Sequence, residues 1–104
     1  MGLRVTEVNA SDEIKIRTQF SDYSFQVTDP GQCKGVLSGG PLGDRQHDAL
    51  FAGAIPPASS QASDASRLEA GYRAVFLLAG PGIYRLTTSI ITEITLFETP
   101  VEDC

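Results

Sequence analysis

Between residues 13 and 28 apolar and polar side chains alternate with a period of two. Ile14, Ile16, Thr18 and Phe20 fall on one side, and Glu13, Lys15, Arg17 and Gln19 on the other. Tyr23, Phe25 and Val27 then alternate with Ser24, Gln26 and Thr28. This is the period of a strand and not of a helix. A two-residue turn at Ser21-Asp22 would set Phe20 opposite Tyr23, Thr18 opposite Phe25 and Ile16 opposite Val27, gathering every large apolar group on one face. Ser-Asp is a poor pair for a type I′ turn, because neither residue adopts positive φ as readily as glycine, which leaves a slightly longer loop open.

The remaining elements follow from the same signals. Residues 3–8 read as a first strand ended by the turn-forming Asn9-Ala10-Ser11-Asp12, and Asp29-Pro30-Gly31-Gln32 is a strong turn before a short strand over 33–37. Residues 38–48 form a glycine-rich loop. The small, apolar stretch 49–55 stops at Pro56-Pro57, and 58–65 is a Ser/Ala connection. Residues 66–79 carry two signals. Ser66-Arg67-Leu68-Glu69 has the form of a capping box with helical spacing behind it, whereas Gly71 and the cluster Tyr72, Val75, Phe76 favour a strand. The strand reading is preferred, with a short helix near 66–70 as the alternative. Residues 83–88 and 90–97 are strand-like, and 98–104 form an acidic tail.

These elements predict a single all-β domain over residues 1–97, a small antiparallel barrel or sandwich of six to eight strands. Its unusual feature is apolar excess near the C-terminus. With a four-residue turn over 79–82, Leu78 faces Ile83, Phe76 faces Arg85 in a cation–π contact and Ala74 faces Thr87, while Val75 and Leu77 meet Leu86 and Tyr84 on the other side. In the last strand Ile90, Ile94 and Leu96 share one side, and Ile91 and Phe97 mark the other. A small antiparallel sheet normally covers one face and wets the other, so the second face needs cover from the 38–70 region, a ligand or another subunit. The expectation is a two-fold dimer through Tyr72, Phe76, Leu78, Ile83, Arg85, Ile91 and Phe97.

Composition narrows the classes. The 104 residues are 41% hydrophobic and 20% charged, which suits a folded globular chain. Eight Lys and Arg against 13 Asp and Glu give a net charge of −5, which repels a phosphate backbone and argues against nucleic-acid binding. No apolar run reaches the roughly 18 residues of a membrane helix and the start lacks signal-peptide character, so a cytoplasmic chain without membrane attachment is expected. In such a compartment Cys33 and Cys104 should remain thiols.

Candidate chemistry is sparse. The single histidine lies in Gly43-Asp44-Arg45-Gln46-His47-Asp48, where Asp44, Arg45, His47 and Asp48 form a weak candidate for ligand binding. One histidine supplies too few strong ligands for a zinc site, and no metal or cofactor is expected. A Cys33–His47 nucleophile pair is conceivable only through spatial proximity, and a core thiol is the plainer reading of Cys33. The glycines of 38–43 lack the Gly-Lys-Ser/Thr of a phosphate loop. The leading functional expectation is therefore a non-catalytic binding or interaction module that self-associates, with an unidentified small ligand or protein partner. The alternative is a small enzyme or ligand-binding protein using the 38–48 loop.

Overall fold

The alternating stretch forms strands β2 (Glu13–Thr18) and β3 (Asp22–Asp29) in the computed structural model, which describes residues 2–56, 67–79 and 83–98. Their register differs from the expected one: Ile16 lies opposite Tyr23, Ile14 opposite Phe25 and Arg17 opposite Asp22. The chain reverses over Gln19 and Phe20 rather than Ser21 and Asp22. Thr18 N–H donates to the Ser21 carbonyl (2.8 Å), and the Thr18 hydroxyl accepts from Ser21 N–H (3.0 Å) while donating to the Ser21 carbonyl (2.7 Å). These bonds tie the turn through a threonine side chain, without asking Ser21 or Asp22 for positive φ. The slip is even, so Ile14, Ile16, Tyr23, Phe25 and Val27 all keep the buried face. Only Phe20 changes sides, moving from the predicted core to the turn, where it is 85% exposed.

Elsewhere the chain forms β1 (Gly2–Arg4), β4 (Lys34–Gly39), β5 (His47–Ile55), β6 (Arg67–Glu69), β7 (Arg73–Ala79) and β8 (Ile83–Phe97). Six antiparallel strands close into a barrel in the order β2-β3-β4-β5-β7-β8, with β8 returning to β2, and β1 pairs separately with β6. The first predicted strand is cut short at Arg4 by a 3-10 turn, Val5–Glu7. Val5 and Val8 would face opposite ways in a strand; three residues per turn bring both to the core, where both are buried. Over 67–79 the strand alternative holds among the described residues, in β6 and β7. The expected cap Ser66, the Ser/Ala stretch 58–65, the turn residues 80–82 and residues 99–104 with Cys104 lie outside the described residues.

The two C-terminal strands predicted over 83–88 and 90–97 are one. β8 runs 15 residues, pairing with β7 through its first half and with β2 through its second. Its register with β7 is shifted by one from the expected pairing, so that Leu78 meets Tyr84, Phe76 meets Leu86 and Leu77 meets Arg85. A slip of one exchanges partners between faces. It removes the predicted Arg85–Phe76 contact and gives Phe76 an apolar neighbour. Two irregularities let β8 bury residues of opposite parity. The β2 pairing jumps from Glu93 to Ile91 between Arg17 and Thr18, and the β7 pairing shifts between Arg73 and Val75. Ile91 and Ile94 are therefore both buried, against the expectation that they mark opposite sides.

Three phenylalanines fill the barrel. Phe25 and Phe51 lie against Phe76 with ring centroids 5.1 and 5.5 Å away, tilted at 59° and 54°. Such inclined pairs add about 0.5–1.5 kcal/mol beyond area burial. Gly35 makes room for them: a Cβ there would stand 2.9 Å from Phe25 Cε1 and would also collide with the Gln26 carbonyl. The few buried polar groups are bonded. Asp12 accepts from Asn9 N–H (2.9 Å), and Thr88 Oγ1 accepts from Ala74 N–H (3.0 Å) and donates to the Ser89 carbonyl (2.8 Å).

Replacing Phe25 by Ala should destabilise the fold by about 3–5 kcal/mol, whereas Lys15→Ala and Phe20→Ser, both at exposed positions, should each change stability by less than about 0.5 kcal/mol. Urea unfolding of the three variants checks this, and a large loss from Phe20→Ser would restore the register with the turn at Ser21-Asp22.

Candidate functional site

The four residues of the predicted ligand site are parted by the way β5 starts. The chain leaves β4 through a 3-10 turn, Gly40–Leu42, closed by Gly39 N–H to the Gly43 carbonyl (2.8 Å) and Gly43 N–H to the Gly40 carbonyl (3.2 Å). Asp44 and Arg45 follow on an exposed connection. His47 and Asp48 are not loop residues as expected; they open β5 opposite Leu37 and Val36. Successive strand residues point to opposite faces, so His47 shares the face of buried Leu37 while Asp48 points outward. The structure does not bring the four together. Cys33 is buried in left-handed conformation (φ 56°) just before β4, and its carbonyl accepts from Phe51 N–H. Along the β4–β5 ladder it stands four residues from the position facing His47, about 13 Å at strand rise, too far for a thiolate–imidazole pair.

The predicted interface residues divide as well. Phe76, Leu78 and Ile91 are inside the barrel, each at most 1% exposed, and so are unavailable to a partner. Phe76 and Leu78 share the inward face with Phe51 and Ala49 of β5, and the bulge against β2 turns Ile91 inward. Tyr72 is partly buried against the core, Arg85 and Phe97 are exposed, and Ile83 opens β8 opposite Ala79.

What remains outside is a different set. Lys34 lies opposite Leu50, Leu50 opposite Leu77, and Leu77 opposite Arg85, a row across β4, β5, β7 and β8. Strand alternation from buried Ala49, Phe76 and Leu78 places this row on the outer face. A cavity of about 380 Å³ adjoins Lys34, Leu50 and Leu77 of this row, with Thr28, Gly35, Asp48, Ala49, Leu78 and Ala79 completing its lining. Ile55 and Val75 belong to the same outer face and are buried. Sequence reasoning missed Lys34 and Leu50. Only the pairing of non-adjacent segments sets them in one row with Leu77.

The charges are unevenly partnered. Lys15, Arg17 and Arg67 lie 3.6, 3.5 and 2.7 Å from Glu13, Asp22 and Glu69, whereas Lys34 and Arg85 have no carboxylate partner among the described residues. A second cavity, about 220 Å³, is lined by Lys15, Arg17, Asp22, Tyr23, Glu93, Thr95 and Phe97. His47 lines neither cavity. Among the described residues no three His, Cys, Asp or Glu side chains converge as a metal site, and no helix is long and apolar enough to cross a membrane. Compared with protein-family models, curated proteins and solved structures, the chain matches none.

One ionisable group at the second cavity is displaced. Burial pushes the Tyr23 phenol above its ordinary value of 10.0, partly offset by a hydrogen bond with Ser21. Because the folded value lies above the unfolded one, the phenol's contribution to stability is full below pH 10.0 and is lost as pH rises through the folded value. A tyrosinate absorbance titration should show a step above the ordinary value that Tyr23→Phe removes. A high-pH limb left unchanged by Tyr23→Phe would place Tyr23 in solvent.

Proposed function

We propose that this protein is a non-catalytic binding module that self-associates through the end of the barrel built by β7 and β8. The observation that carries this reading is the apolar surface remaining outside a filled core. Leu50, Leu77 and Ala79 line an outward cavity, and Tyr84, opposite Leu78 at the start of β8, is 47% exposed. Apolar surface of this kind gains about 25 cal/mol for each square ångström removed from water. Two-fold pairing is the commonest way for a small chain to cover it. The net charge of −5 opposes association, but at physiological salt it is screened beyond about 8 Å.

The alternative, an enzyme or ligand-binding protein using the 38–48 loop, draws less support. Of Asp44, Arg45, His47 and Asp48, only Asp48 lines the larger cavity. A ligand there would meet Lys34 and Asp48 beside an apolar wall, with no imidazole at hand to act as a base.

Light scattering over a concentration series should give a mass rising toward twice that of the 11.1 kDa chain. Tyr84→Glu, at an exposed position, should return it toward the monomer without loss of folded structure. A wild type that stays monomeric at high micromolar concentration overturns self-association.

A further inference from the structure

We propose that two copies pair edge to edge through the first half of β8, as antiparallel strands related by a two-fold axis at Leu86. This rests on the self-association reading and names its contact. The second half of β8 is paired by β2, from Glu13 opposite Phe97 to Thr18 opposite Ile91, and that stretch carries the acidic Glu93. Beyond that point β2 stops. Gln19 N–H makes one last bond to the Ile90 carbonyl (3.0 Å), and the chain turns into β3. Residues 83–89 continue past it with backbone pairing to β7 alone, the Ser89 hydroxyl still reaching Thr18 Oγ1 (2.7 Å) at the inner end. Among the described residues no strand occupies the other edge, and its backbone N–H and C=O groups form a template that another strand can complete.

The edge has few of the devices that discourage pairing. Residues 83–89, Ile-Tyr-Arg-Leu-Thr-Thr-Ser, contain no proline or glycine, and Arg85 is their only charge. The same order of residues is self-complementary. With the axis at Leu86, the midpoint of the open edge, Arg85 of one copy faces Thr87 of the second, and Tyr84 faces Thr88. An axis at Arg85 would set the two arginines against each other, which is unfavourable. Pairing about Leu86 also brings the half-exposed Tyr84 ring diagonal to Leu86 of the second copy, a cross-strand neighbour on the same face.

The pairing extends the outer row without a break. Leu50, Leu77 and Arg85 of one copy would continue into Thr87, Val75 and Gly53 of the other, since Thr87 lies opposite Val75 and Val75 opposite Gly53. The resulting sheet, β5-β7-β8 joined to its two-fold mate, sets two arginines lacking carboxylate partners among the described residues at the seam between two acidic chains. This favours a second copy as the occupant.

The test is a change of sign at one exposed position. Thr87 points outward and is exposed, so Thr87→Lys and Thr87→Glu both leave the barrel intact. Within one chain Arg85 Nε donates to Thr87 Oγ1 (3.4 Å), so each variant meets its own Arg85 as well; in the proposed register it also acts twice across the seam, against Arg85 of the other copy, and only this second effect changes the dissociation constant with the sign of the charge. Sedimentation velocity of the full chain over a concentration series should show the dimer dissociation constant raised about tenfold by Thr87→Lys and lowered severalfold by Thr87→Glu. Leu77→Glu, on the outer face one strand from the seam, should have the smaller effect. If the wild type self-associates, the two Thr87 variants shift it alike or not at all, and Leu77→Glu dissociates it, then the copies meet face to face; edge pairing is wrong while self-association stands. A monomeric wild type overturns both.

Discussion

Closure of the sheet is the constraint on which the rest of the molecule depends. A six-stranded antiparallel sheet must bring its last strand back to its first, here through Ile14 opposite Leu96 and Ile16 opposite Ile94. β8 has to serve β7 and β2 in turn, and a six-residue β2 covers only part of a 15-residue partner. Closing a barrel requires strands staggered along one another, so an overhang is built into the geometry. The hydroxyls near the crossover fix where it falls. Ser89 Oγ donates to Thr18 Oγ1 (2.7 Å), the same oxygen that ties the β2–β3 turn, and Thr92 Oγ1 donates to the Arg17 carbonyl (3.2 Å).

The core and the candidate surface are two consequences of that closure. The shifts in register beside Thr18 and Ala74 change which side chains of β8 face inward, so Ile91 and Ile94 both reach the interior. Pairing with β5 sets Phe76 beside Phe51 in the aromatic cluster with Phe25, and the one-residue slip between β7 and β8 makes Arg85 the neighbour of Leu77 on the outer face. A small barrel has volume for one layer of large side chains. Three phenylalanines cluster in it beside Ala49, Ala74 and Leu78, while Leu50 and Leu77 stand in the outer row. The same closed ring therefore builds the interior and leaves outside it the surface from which the binding reading is drawn.

Part of the candidate site is legible in the order of residues alone. The two-sided apolar character of residues 74–86 is a property of the sequence, and it points to that end of the molecule. The individual residues are not legible in the same way, because both faces of the segment are apolar and nothing local says which is covered; the expected interface took Phe76, Leu78 and Ile91, which the closed barrel buries. A turn of three residues and a turn of four are equally compatible with Gly80-Pro81-Gly82, and the difference exchanges the faces. Likewise, the clustering of Asp44, Arg45, His47 and Asp48 along the chain implies proximity of their side chains. The start of β5 at His47 sends consecutive residues to opposite faces and dissolves the cluster.

The sequence by itself determined the all-β class, the β2–β3 hairpin and its buried face, the turn after Asp29 and the strand character of both C-terminal segments. All of these follow from period-2 alternation, side-chain shape and turn chemistry, which act between near neighbours. Tertiary structure alone decided the closed ring, the fusion of two predicted strands into β8, the bulges, and the row joining Lys34, Leu50, Leu77 and Arg85. Those features depend on pairing between distant segments, where a shift of one residue costs little in local preference but reverses every side chain, and only the requirement that one set of phenylalanines fill one closed interior selects among the shifts.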